Sequence, residues 1–228
     1  MRYWIKFSKE GRQKYISHRD MHKVIDRIIK RAQLPVTYSQ GYNPHQKISF
    51  SSPLELGIES IAEYLDLELE KKMQVEMIVD KLNLNSAKGI KFYKANEYVI
   101  GAPKLMAWIN AADYAITDIE DEIIGKLKLT IRKFLERDEI YVEKRIRKRV
   151  IKINIRSYIH YMELKNNKVT VRLQTGQGGN LKVSQFNEVF NEFSGINLNS
   201  NRILKTEMYG PNFGQYVTPF ELLNQLNN

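Results

Sequence analysis

The order of hydrophobic patterns predicts an α+β protein built as two tandem ferredoxin-like (βαββαβ) sandwiches. Three observations carry that prediction. Alternating strand-like stretches and 3.6-period helical stripes succeed one another as β-α-β-β-α-β up to Ile100. The same order returns after a Gly101-Ala102-Pro103 break, where glycine and proline punctuate the chain. The length, 228 residues with 43% hydrophobic and 27% charged, suits two small cores rather than a disordered chain. The predicted domains are therefore 1–101 and 102–228.

Taken in order, Tyr3, Ile5 and Phe7 alternate with Arg2, Trp4 and Lys6, as one strand over Arg2–Phe7 requires. Ser17 is placed to cap a helix, with Asp20 in the acid position of a capping box. Met21, Val24, Ile25, Ile28, Ile29 and Ala32 then form one buried stripe, and Leu34-Pro35 ends the helix. Lys47–Ser51 and Glu63–Leu69 read as strands, Met73–Leu82 as a helix and Ile90–Ile100 as a closing strand. In the second half, Met106–Thr117 reads as a strand, and Asp118 as the cap of a helix over Ile119–Leu135. Ile140–Leu164 holds one long bent strand or two short ones, and an Asn166-Asn167 turn leads to Lys168–Gln174. Val183–Phe193 is the next helix and Arg202–Tyr209 the last strand, with a terminal helix from Pro219.

Charge narrows the class of partner. The net charge of +10 is not spread evenly. Residues 9–31 carry eight Lys/Arg against three acids, and residues 140–156 carry seven against one, so the rest of the chain is near neutral. Such clustering is the footprint of a polyanion partner. No apolar run reaches the ~20 residues a membrane span needs, and the N-terminus lacks the apolar core of a signal peptide, so a cytoplasmic protein is expected. Without cysteine, the chain forms no disulfide, thiolate zinc site or thiolate-held iron–sulfur cluster.

The densest chemistry lies between the first helix and the next strand. Tyr38, Gln40, Tyr42, Asn43, His45 and Lys47 surround Gly41 and Pro44. Rings for stacking, amides for base edges and cations for phosphates are what single-stranded RNA recognition uses. Lys23, Arg27 and Arg31 fall on the polar side of the preceding helix as phosphate contacts. Arg145, Arg147 and Arg149 alternate onto one face of a basic strand, with Ile151, Ile153 and Ile155 continuing that face as core. His18 and His45 are candidate acid–base groups, with Asp20 beside the first. His18 and His22 have chelating i, i+4 spacing but lack the glutamate of H-E-x-x-H, so no metal is expected. Ser17, His18 and Asp20 are too close along one helix turn for a nucleophilic triad.

The run from Ser17 to Asp66, S-H-R-D then R-A-Q-L-P-V-T-Y-S-Q-G-Y-N-P-H-Q-K and P-L-E-L-G-I-E-S-I-A-E-Y, resembles the radical-SAM-linked proteins. These form a bacterial family found fused to, or encoded beside, radical SAM proteins. Its members look like S-H-L-D, R-A-G-L-P, G-F-N-P-H-P-K and P-L-x-x-G-x-x-S-x-x-E-Y. Here Arg19 stands at the leucine, Gln33 at the glycine, Tyr42 at the phenylalanine and Gln46 at the second proline. The resemblance implies a partner class, a radical SAM protein, and no particular reaction. The expected function is an RNA-binding accessory protein that presents tRNA or rRNA to that partner, without a cofactor of its own. The alternatives are an RNA-modifying or RNA-processing enzyme using His18 and His45, and a protein-only adaptor for the radical SAM enzyme.

Overall fold

The structure, a computed structural model, describes residues 1–146, 149–199 and 202–227, with the backbone alone at 144–146. The chain divides into two compact units, Met1–Ile109 with Glu207–Asn228, and Asn110–Thr206.

The first unit opens with β1 (Arg2–Lys9), α1 (His18–Arg31), β2 (Ile48–Phe50), β3 (Glu59–Glu68), α2 (Val75–Leu84), β4 (Phe92–Glu97) and the short α3 (Leu105–Trp108). Its strands lie in the order β4-β1-β3-β2, every neighbouring pair antiparallel. That is the arrangement of a ferredoxin-like sandwich, because each helix returns the chain past one strand position. Tyr3, Ile5 and Phe7 on β1 and Leu65 and Leu67 on β3 form the floor under Ile25, Ile28, Ile29, Ile78 and Leu82 of the two helices. Burying side chains of this size stabilises by about 1.5–3 kcal/mol each, which holds α1 to the sheet.

The second unit repeats the order with an insertion. It contains β5 (Ala111–Ile116), α4 (Asp121–Leu135), β6 (Tyr141–Ile146), β7 (Arg149–Asn154), β8 (Ile159–Lys165), β9 (Lys168–Gln174) and α5 (Val183–Ser194). It closes with the start of β10 (Ile203–Asn212). The sheet order β10-β5-β9-β8 is again first strand central and second strand at the edge. Phe134 of α4 meets Phe186 and Phe190 of α5 at ring separations of 6.2 and 5.1 Å, in edge-to-face arrangements. Between α4 and β8, the strands β6 and β7 form a separate two-stranded ribbon.

From Glu207 onward the chain belongs to the first unit, with β11 (Gln215–Val217) and α6 (Pro219–Asn227). Thr218 and Glu221 form a capping box at the start of α6: the Thr218 N–H donates to the Glu221 carboxylate at 2.7 Å and Glu221 N–H to the Thr218 hydroxyl at 3.3 Å. The reverse face of the first sheet would otherwise expose Tyr64. Instead Phe220 packs on the Tyr64 ring, and Glu207 accepts from Tyr64 Oη at 2.6 Å and pairs with Lys6 at 2.5 Å.

Two expected details differ. Met106–Thr117 is a helical turn followed by β5, because Leu105 and Ile109 are buried one turn apart. Asp118 caps nothing: it takes a left-handed φ of 59° and pairs with Arg202 at 2.9 Å, so α4 begins after Glu120 without a side-chain cap.

Candidate nucleic-acid interface

The loop that carries the ring- and amide-bearing residues is framed at both ends by backbone chemistry. At the C-terminus of α1, Gln33 N–H donates to Lys30 O at 3.1 Å and Leu34 N–H to Ile29 O at 3.5 Å. This pair of bonds is a Schellman motif, and it requires the left-handed φ of 49° found at Gln33. Leu34 and Val36 then enter the core, and Val36 bridges to Leu69.

Beyond Val36 the chain makes a small hairpin. Thr37 N–H donates to Glu68 O, Lys47 N–H to Thr37 O, and Ser39 N–H to His45 O, at 2.9, 2.8 and 2.8 Å. Tyr38 lies opposite Gln46 as the intervening bridge. The hydroxyl of Ser39 clasps His45 twice, by Nδ1 at 2.9 Å and by its backbone N–H at 3.1 Å. Gly41, at φ 126°, and Pro44 turn the tip, leaving Gln40, Tyr42, Asn43 and His45 exposed to solvent. The Tyr42 ring is fully exposed, and Tyr38 is 41% exposed. Gln46 is the inward member, and among the described residues neither end of its buried amide has a hydrogen-bond partner.

The cations of α1 run up to this hairpin. Arg19, Lys23, Arg27 and Arg31 recur every four residues, about 6 Å apart along the axis, and all are exposed. Lys23 is held by Asp20 at 3.0 Å and Lys30 by Asp26 at 2.9 Å. Lys47 is paired across strands with Glu68 at 3.1 Å, so its charge is partly spent. Among the described residues no acid pairs with Arg27 or Arg31. The hydrogen bond and charge of Asp26 hold the Lys30 ammonium above its ordinary range, with a smaller contribution from the Tyr38 phenol.

The second basic segment is arranged differently from the expected single strand. The chain reverses between Ile146 and Arg149, so Arg145 on β6 lies opposite Val150, and Arg149 opens β7. A hairpin here separates residues that one strand would have aligned. Arg149 is exposed; of Arg145 only the backbone is described, and Arg147 lies outside the described residues. Ile151 is exposed and Ile153 half-buried, so only Ile155 of the expected apolar face is core.

The candidate acid–base residues do not form one site. His45 lies in the hairpin beyond the C-terminus of α1, whereas His18 opens that helix about 20 Å away along its axis. Asp20 is exposed and engaged by the Ser17 hydroxyl at 2.7 Å and by Lys23, which together hold its carboxyl below the ordinary range. Ser17 does cap the helix, accepting from Asp20 N–H at 3.1 Å. Glu63 is buried, whereas Asp20 is exposed.

His18 instead pairs with His22, Nε2 to Nε2 at 3.1 Å with the rings perpendicular. Phe50 of β2 floors the pair, its ring 4.0 Å from His22 and 5.9 Å from His18. Burial, then the neighbouring His18, lowers the His22 pKa and favours neutral imidazole. Lys9 is buried beside the start of α1, its ammonium donating to Ile16 O at 2.8 Å. The i, i+4 spacing was the sequence signal for the histidine pair; nothing local in the sequence points to Phe50 or to the Ser39 clasp. Among the described residues no group of three or more His, Cys, Asp or Glu is placed to hold a metal, and no helix is long and apolar enough to cross a membrane.

No curated protein matches the chain. One protein family does match, over residues 2–183, described as "Uncharacterized protein conserved in bacteria (DUF2344)". That span takes in all of β1 to β9 and both ferredoxin-like βαβ openings, and the chain belongs to this bacterial family.

Proposed function

We propose that the protein binds single-stranded RNA through α1 and the 38–47 hairpin, and presents that RNA to a radical SAM enzyme. The observation that carries the RNA reading is a fully exposed Tyr42 on a braced hairpin, beside a helix face whose Arg27 and Arg31 have no acid partner among the described residues. Folding gains nothing from a ring wholly in water. A base stacked on such a ring stabilises a complex by about 1–3 kcal/mol, and the adjoining guanidinium groups suit phosphates. Tyr38, Asn43, Gln40 and the outward side of His45 supply further stacking and hydrogen-bonding surface at the same tip. The second basic stretch of the sequence, which carries Arg145, Arg147 and Arg149, offers further cations to a polyanion, and Arg149 within it is exposed. The radical SAM partner rests on the sequence resemblance alone.

The test is fluorescence anisotropy with a single-stranded RNA oligomer, and with the same sequence as a duplex, at two salt concentrations. The expected result is preference for the single strand and a slope of log affinity against log salt of about −0.7 per phosphate neutralised. Tyr42→Ala is expected to weaken binding about tenfold without changing the slope, and Arg27→Ala with Arg31→Ala to flatten the slope by about 1.4. Binding that ignores salt, or a radical SAM partner that co-purifies free of nucleic acid and leaves RNA unbound, overturns the reading in favour of a protein-only adaptor.

A further inference from the structure

We propose that His18 and His22 form a two-histidine site for a divalent first-row transition ion of the zinc class, floored by Phe50 at the start of α1. This inference stands apart from RNA binding, since neither histidine belongs to the hairpin or to the cationic face.

The geometry is that of a chelate. Two zinc–nitrogen bonds of about 2.0–2.1 Å at a near-tetrahedral angle place the nitrogens roughly 3.2–3.4 Å apart. The two Nε2 atoms stand 3.1 Å apart, and one ion between them needs a shift of only a few tenths of an ångström. The helix fixes the bite, because i and i+4 side chains share a face. Ser17 caps that turn and Met21 and Ile25 anchor it to the core, so the ligands start from an ordered backbone. The Phe50 ring packs against one side of His22, its centroid 4.0 Å away.

The rest of the neighbourhood sets the kind of site. No third His, Cys, Asp or Glu among the described residues completes the set, so the chain supplies two ligands and the remaining positions fall to water or an incoming oxygen donor. Open positions belong to exchangeable or catalytic ions rather than to closed structural zinc. The helix N-terminus opposes a cation, by about two- to fivefold in affinity per unit charge at an exposed site. Imidazole ligands without thiolate favour zinc, copper, nickel or cobalt over magnesium or calcium.

Chelator-treated full-length protein is titrated with Co²⁺, followed by its visible absorption, and with Zn²⁺ by calorimetry. One saturable site per chain is expected, weakened about tenfold or more by His18→Gln and by His22→Gln, and unchanged in His45→Gln. Because a variant can lose ligation by local unfolding, imidazole nitrogen resonances of the unaltered protein provide a second readout. Zn²⁺ should move the Nε2 signals of His18 and His22 while leaving those of His45 and His160 in place. The absence of a saturable site, affinity unchanged in both variants, or zinc-induced shifts at other histidines overturns the proposal; the 3.1 Å contact is then one imidazole donating to the other.

Discussion

His22 lies with one ring face against Phe50 and its Nε2 against His18, and this environment makes its charge state a matter of stability. Its pKa is lowered in the folded protein, first by burial and then by His18. The unfolded chain, titrating near 6.5, therefore takes up a proton before the folded chain does. Stability from this group is complete above about pH 6.5 and falls as pH drops below it, levelling only under the folded-state pKa. Denaturant melts of metal-free protein between pH 5 and 7.5 should show that decline, and His22→Gln should flatten it. His160, lowered mainly by burial although Gln174 bonds its Nε2 at 2.9 Å, adds a slope of the same sign that the variant keeps. A variant curve as steep as the parent's would mean that His22 does not titrate differently on folding. The sequence marked His18, His22 and His45 as titratable groups with known spacing. It had no means of showing that a phenylalanine 28 positions beyond His22 would lie beneath the pair, because that contact is made by sheet register.

At the scale of the element, α1 was nearly complete in the sequence. Ser17 caps it, and Met21, Ile25, Ile28 and Ile29 are buried as the stripe requires. Its end holds the main local mismatch. The Schellman turn places Gln33 in the left-handed region, where a side chain costs about 1 kcal/mol and glycine does not. Gln33→Gly is expected to raise stability by roughly that amount in urea melts, less a few tenths for added freedom in the unfolded chain. A loss of stability would indicate that the Gln33 side chain makes a contact worth more than the strain. The glycine expected at this position from the family resemblance has a physical reason here. The 38–47 hairpin was legible as a polar, ring-rich segment, but its two-rung frame was not. Its base is tied to Glu68 and Leu69, more than twenty residues away. The basic segment near residue 150 shows the same limit. Alternation alone cannot reveal a reversal within a charged run, since both strands of the ribbon read as one continuing pattern.

For the whole molecule, the chain's last stretch decides more than its position suggests. Glu207 satisfies Tyr64 and Lys6, Trp108 donates to Pro211 O at 3.0 Å, and Phe220 covers Tyr64, all within the first unit. Gly210 lies flat against Trp108, where a Cβ would come within 2.3 Å of the indole. A chain ending at Thr206 is expected to leave this sheet face bare and to lose stability comparable with the ~5–15 kcal/mol of a whole domain. Its first unit should then fail to melt cooperatively and should aggregate through the bared face around Tyr64. Tryptophan fluorescence and calorimetry check this; an unchanged transition in the truncated chain would show that Glu207–Asn228 is dispensable.

The sequence by itself determined the α+β class, the repeated βαββαβ order, the Ser17 cap of α1, the start of a terminal helix at Pro219, and the two places where positive charge collects. Those features are written in spacing and side-chain chemistry over a few residues, where turn geometry and periodicity act directly. The tertiary structure decided which strands are neighbours, which lysines are matched by acids, and which histidine meets which ring. It also returned Glu207–Asn228 to the first unit. Those outcomes depend on pairings across tens to hundreds of residues, chosen by the burial of Trp4, Tyr64 and the α1 stripe against all competing arrangements, and no short stretch of chain contains that comparison.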